Sequence, residues 1–83
     1  MRHKKVRVRI PEQLRARFTA DEVVAQIAVE GTVRDLLDHL EDAYPTLRTL
    51  LRGCRIEIGG RAAADADVIP AFTDVGLTPP VTP

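Results

Sequence analysis

Three stretches of the chain alternate apolar and polar side chains with period two, and one longer stretch repeats its apolar positions with the period of a helix. Val6, Val8 and Ile10 alternate with Lys5, Arg7 and Arg9. That pattern predicts a strand over 4–10 with one apolar and one charged face. Pro11 ends it, because proline lacks the N–H that a ladder needs. Val23, Ala25, Ile27 and Val29 fall on one face of a segment rich in β-branched residues, which predicts a second strand over 22–29. Cys54, Ile56 and Ile58 share a face in a third strand, 54–58, and Gly59-Gly60 after it reads as a hairpin turn.

Between the second and third strands the period changes. Thr32 is a good N-cap, and Asp35 at the third helical position places a carboxylate against the helix dipole. Val33, Leu36, Leu37, Leu40 and Tyr44 follow at helical spacing, with Arg34, Asp38, Glu41 and Asp42 on the other side as a solvated acidic face. The helix spans 33–43, since the residue before Pro45 is pushed out of the helical region. Leu47, Leu50 and Leu51 predict a second short turn over 46–52, ended by Gly53. Leu14 and Phe18, four apart, pack as one helical turn or a folded loop. Residues 61–83 read as irregular. Asp67-Val68-Ile69 is a candidate short strand, but Pro70, Pro79, Pro80 and Pro83 break any ladder, and no convincing last strand follows Asp67. The order is strand, strand, helix, strand. A strand after a helical crossover lies parallel in the same sheet, so the expected fold is α+β: a β-grasp, a mixed sheet wrapped on one amphipathic helix, as one domain over 1–83.

Composition narrows the function. With 83 residues, a single small core is all the chain can build, and little surface remains for a deep pocket. No apolar run is long enough to span a bilayer, and no apolar signal core follows the basic start, so a cytoplasmic protein without a membrane partner is expected. Cys54 is the lone cysteine and shares the inward face of its strand, so it reads as a small core hydrophobe rather than a reactive thiol. His3 and His39 stand far apart, which gives neither zinc-site spacing nor a triad. There is no Gly-rich phosphate loop. No catalytic residue, metal or cofactor is expected, and the chain is not read as an enzyme by itself. Charge is balanced overall but uneven. Residues 1–20 carry Arg2, Lys4, Lys5, Arg7, Arg9, Arg15 and Arg17 against Glu12 alone, and the remainder holds five basic and eleven acidic side chains. A basic face suggests nucleic acid, but Phe18, Tyr44 and Phe72 do not interleave with the arginines as stacking platforms require, so nucleic acid is not the expected partner.

Several segments resemble one family. Val6-Arg7-Val8-Arg9-Ile10-Pro11-Glu12-Gln13-Leu14-Arg15 is similar to the opening of MoaD/ThiS-like sulfur carriers of the ubiquitin fold, closest to the branch serving cysteine and secondary-metabolite pathways. Val29–Leu40 resembles that family's strand end, cap and helix, Ala43-Tyr44-Pro45-Thr46-Leu47-Arg48 its helix exit, and Ile56-Glu57-Ile58-Gly59-Gly60 its third strand and turn. The resemblance covers roughly residues 5–60. It implies a carrier whose terminal Gly-Gly carboxylate is adenylated by an E1-like adenylyltransferase and converted to a thiocarboxylate. That group then delivers sulfur to a partner enzyme.

The resemblance fails at the end of the chain, which reads Pro79-Pro80-Val81-Thr82-Pro83 without the terminal glycines. Three explanations stay open: a true terminus beyond Pro83, an unusual last strand within 67–83, or completion of the sheet by another chain through self-association. The alternative function is a non-conjugating ubiquitin-like interaction module. In either case the expected partner surface is the outer sheet face, with Arg7, Arg9, Arg55 and Glu57. Lys4 and Lys5 are the only lysines, so an isopeptide link onto a side chain of this protein must use them.

Overall fold

A computed structural model describes residues 2–79. Strand β1 (His3–Arg9) pairs antiparallel with β2 (Glu22–Ala28), from His3 opposite Ala28 to Arg9 opposite Glu22. A 3-10 turn (Glu12–Leu14) and a single helical turn, α1 (Arg15–Phe18), fill the connection. Leu14 and Phe18 are both buried there, so the helical-turn alternative is the one realised. Helix α2 (Val33–Ala43) follows, then a 3-10 turn (Pro45–Leu47) running into α3 (Arg48–Gly53), and then strands β3 (Arg55–Ile58), β4 (Arg61–Ala62) and β5 (Asp74–Thr78). The sheet order is β2-β1-β5-β3-β4.

Strand β5 corrects the expectation of an irregular 61–83 and realises the alternative of a last strand within 67–83. It runs parallel to β1, with Val8 opposite Val75, and antiparallel to β3, with Ile56 opposite Leu77. The chain therefore completes the centre of its own sheet, and no second chain is required to satisfy it. Only Val75 and Leu77 of β5 are buried. Five residues with two apolar anchors and a glycine between them make a faint strand signal. Tertiary pairing on both sides, rather than intrinsic propensity, holds such a segment in the sheet. The Asp67–Ile69 stretch is no strand. It contributes one isolated antiparallel bridge, Val68 to Thr32, and runs across the start of α2.

Core packing follows the two periods. Val6, Val8, Ala25, Ile27, Ile56, Val75 and Leu77 point from the sheet toward Val33, Leu36, Leu37 and Leu40 of α2, and all are buried. Each fully buried aliphatic side chain of this kind contributes about 1.5–3 kcal/mol relative to exposure. Phe18 and Tyr44 meet edge to face at 5.0 Å between ring centres, which closes the end of the core where α2 exits.

The start of α2 is bound twice. Thr32 and Asp35 form a reciprocal capping box, with Thr32 N donating to the Asp35 carboxylate at 2.9 Å and Asp35 N donating to Thr32 Oγ1 at 3.3 Å. Val33 N and Arg34 N, which have no partner within the helix, donate to the carbonyls of Asp67 (2.9 Å) and Asp65 (3.0 Å). The 64–69 segment thus serves as an external cap for the helix. Gly59 and Gly60, with φ of 60° and 81°, make the two-residue turn between β3 and β4, where both positions need the left-handed region.

Candidate functional site

The sheet has one face under the helices and one face in solvent. On the solvent face, Arg9 of β1, Gly76 of β5 and Glu57 of β3 lie in one row across the central strands. Arg7 stands opposite Asp74 in the next row, and Arg55 opposite Thr78. The pleat therefore brings Arg7, Arg9, Arg55 and Glu57 to one face, with β5 running between the two pairs. The pairing of β5 with both β1 and β3 decides that arrangement.

Their environments differ. Arg7 Nε meets Glu22 Oε1 at 3.1 Å across the β1–β2 hairpin, with both groups well exposed. Exposed pairs of this kind contribute little to stability, about 0–1 kcal/mol, so Arg7 remains available to a partner. Arg9 and Arg55 are exposed, whereas Glu57 is half-buried and accepts a 2.7 Å hydrogen bond from Thr78 Oγ1. Gly76 leaves the centre of the row bare. A side chain there would meet only Glu57 Cβ, at 3.9 Å. The face thus carries a shallow trough, with a guanidinium on one side and a hydrogen-bonded carboxylate on the other.

Two charged residues, Lys4 from the basic end and Glu41 from the acidic helix face, are buried. Lys4 has the parity of Val6 and Val8, and it turns inward with them. Its ammonium donates to the carbonyls of Gly31 (3.2 Å) and Ile69. Period two along β1 gives that orientation, even within a run of basic residues. Lys5 is then the lysine that presents its side chain to solvent. Glu41, read as part of a solvated acidic face, is buried and accepts from Arg34 Nη2 (2.8 Å) and Arg52 Nε (3.4 Å), linking α2 to α3. Cys54 lies in the core as expected. Its thiol donates to the Leu50 carbonyl at 3.3 Å, and burial pushes its pKa up, away from the reactive thiolate.

Phe72, which offers no stacking ladder in the sequence, and Val24 also reach the surface. Phe72 stands fully exposed just before β5, and Val24 projects from the outer face of β2. Neither breaks a sequence rule, so only the three-dimensional placement makes them visible. Among the described residues no helix is long and apolar enough to cross a membrane.

No protein-family model matches the chain, and no curated protein matches it in sequence. Solved structures do match. Small archaeal modifier protein 1 from H. volcanii superposes with a TM-score of 0.80 at 24% identity, covering 94% of this chain and 99% of that one. A Pyrococcus furiosus protein described as molybdopterin converting factor, subunit 1, gives 0.82 at 21% identity over the same shares of the two chains. A ubiquitin from Caldiarchaeum subterraneum gives 0.68 at 14% identity over 98% of each chain. The fold is the ubiquitin-like β-grasp. Its structural neighbours are the kind of ubiquitin-fold protein to which the resemblance over residues 5–60 points. At these identities the likeness is one of fold, and function has to be argued from the β-grasp surface itself.

Proposed function

We propose that this β-grasp protein is a sulfur carrier of the MoaD/ThiS type that works in the cytoplasm through partner enzymes and has no active site of its own. One observation carries the reading. The last strand occupies the middle of the sheet, so the chain reaches Pro79 one residue past the Arg55–Thr78 pair and three past the Arg9–Gly76 pair. A C-terminal tail departing there is presented beside the charged trough. A partner that docks on the trough receives the tail in the same encounter.

The chemistry belongs to the partners. An E1-like adenylyltransferase would join the terminal carboxylate to the α-phosphate of ATP and release pyrophosphate. A sulfur donor would then displace AMP to give the thiocarboxylate, which serves a sulfur-accepting enzyme. Arg7, Arg9, Arg55 and Glu57 would form the docking face. The carriers that the chain resembles end in glycine, which without a side chain can thread a narrow channel. Residues 79–83 hold none, so the carrier chemistry requires that the native chain continue past Pro83. The second reading, a non-conjugating interaction module, uses the same face and needs no tail chemistry.

Charge reversal separates the docking face from mere solvent exposure. Arg7→Glu with Arg9→Glu should weaken binding to the E1-like enzyme and lower E1-dependent ATP–pyrophosphate exchange, while leaving the unfolding midpoint close to wild type. Unchanged affinity would remove the face from the reading.

A further inference from the structure

We propose that the groove between Val24 and Phe72 is a docking site for an acidic protein segment that carries an aromatic or aliphatic anchor. The inference rests on the reading of the outer sheet as a docking face, but not on carrier chemistry. It places the anchor at the β2 side of that face, where the groove shares Arg7 with the charged quartet but not Arg9, Arg55 or Glu57.

Three observations converge on the groove. It encloses about 500 Å³ and is lined by Lys5, Arg7, Val24, Phe72, Thr73 and Asp74. Val24 and Phe72 are two of the four large hydrophobic side chains exposed among the described residues. Isolated exposed apolar residues are ordinary, but two that face one concavity mark a contact surface. Phe72 also has φ of 60°, in the left-handed region where a bulky residue is a genuine outlier. Its ring contributes nothing to the core, because it is wholly exposed. A side chain held in water on a disfavoured backbone is explained by what it meets outside the molecule.

Charge selects the occupant. The outward positions of β1 are His3, Lys5, Arg7 and Arg9, with no acid among them. Among the described residues Lys5 makes no ion pair, and Arg7 has only the exposed Glu22. Asp74 is the one carboxylate lining the groove. A carboxylate-bearing segment would therefore find the unpaired ammonium of Lys5 beside the apolar slot. Electrostatics of this kind steers a partner into register, and an aromatic anchor supplies the affinity. A nucleic acid would also be drawn to the cations, but a single exposed ring makes a poor stacking platform.

The test is a backbone-amide NMR titration with three probes: a peptide with phenylalanine flanked by glutamates, its counterpart with lysines in place of the glutamates, and oligouridine. The acidic peptide should shift the signals of Lys5, Val24, Phe72 and Thr73, and the basic peptide and the oligonucleotide should not. Phe72→Ser should weaken the acidic peptide about tenfold, as the loss of an aromatic anchor does. Lys5→Glu should weaken it as well, and neither variant should disturb core signals. Equal response to both peptides, preferential binding of oligouridine, or an unaffected Phe72→Ser variant overturns the proposal. Shifts confined to Arg9, Gly76 and Glu57 overturn it too, while leaving the docking-face reading intact.

Discussion

Lys4 Nζ lies 3.2 Å from the Gly31 carbonyl oxygen, so the first strand is tied to the turn that opens α2. The same carbonyl accepts from Ile69 N at 3.2 Å, and the same ammonium reaches the Ile69 carbonyl. Three segments distant in sequence thus meet at one buried charge. Lys4→Met removes the donor and leaves the Ile69 carbonyl without a partner, while the Gly31 carbonyl keeps Ile69 N, and this should cost about 1–3 kcal/mol. Lys5→Met should stay within about 0.5 kcal/mol of wild type, as exposed substitutions do. Urea unfolding of both variants checks the difference, and equal midpoints would mean that Lys4 contributes no more than its exposed neighbour. An amine-reactive acylating reagent read by peptide mass should likewise label Lys5 well ahead of Lys4.

Gly76 makes a second prediction, in which folding and docking respond in opposite directions. A Cβ at this position meets only Glu57 Cβ at 3.9 Å, and no positive φ demands glycine. Gly76→Thr should therefore be accepted by the strand and raise stability by up to about 1 kcal/mol through better strand propensity. The same side chain would fill the trough between Arg9 and Glu57, so partner affinity should fall. A thermal melt paired with a binding isotherm reads both effects. Loss of stability would show that the central strand has no spare room.

Phe72 offers a backbone test that is independent of binding. Glycine occupies the left-handed region freely, while phenylalanine does so at a cost of about 1–2 kcal/mol. The greater freedom of glycine in the unfolded chain offsets about 0.5–1 kcal/mol of that. With no packing to lose, Phe72→Gly should be neutral or more stable by up to about 1 kcal/mol in denaturant unfolding. A clear destabilisation would mean that the ring packs on the fold.

Cys54 sets a dependence on pH. Burial raises its folded-state pKa above the ordinary thiol value. Above about pH 9 the unfolded chain gives up the thiol proton while the folded chain retains it, so the unfolded state binds fewer protons and stability falls as pH rises. Below that range the contribution is constant. The stability difference between wild type and Cys54→Ala should therefore shrink between about pH 8 and pH 10. Parallel stability curves across that interval would contradict it.

Much of the architecture is legible in the residues because it rests on strong, local periodicity. Val33 to Tyr44 and the Thr32–Asp35 cap predict α2 with its observed bounds, and the Val6-Val8 alternation places β1 within one residue. Failures lie where long-range pairing overrides a weak local signal. Asp74–Thr78 becomes a central strand because β1 and β3 bracket it, and five residues with a central glycine leave it only one open alternative within 67–83. Lys4 and Glu41 are buried because distant groups satisfy them, and those partners cannot be seen along the chain. The docking face shows the same division. Arg7 and Arg9 follow from strand parity, but their position relative to Arg55 and Glu57 depends on β5. Phe72 stands out only once its exposure and left-handed backbone are known.

The carrier reading is tested most directly by the intact mass of the protein isolated from its native source, with its C-terminal peptide sequenced. The reading predicts a chain that continues past Pro83 to Gly-Gly, part of it carrying the mass change of one terminal oxygen replaced by sulfur. A mature chain ending at Pro83 would contradict it, since no glycyl thiocarboxylate can form there, and would leave the interaction module as the function of this sheet face.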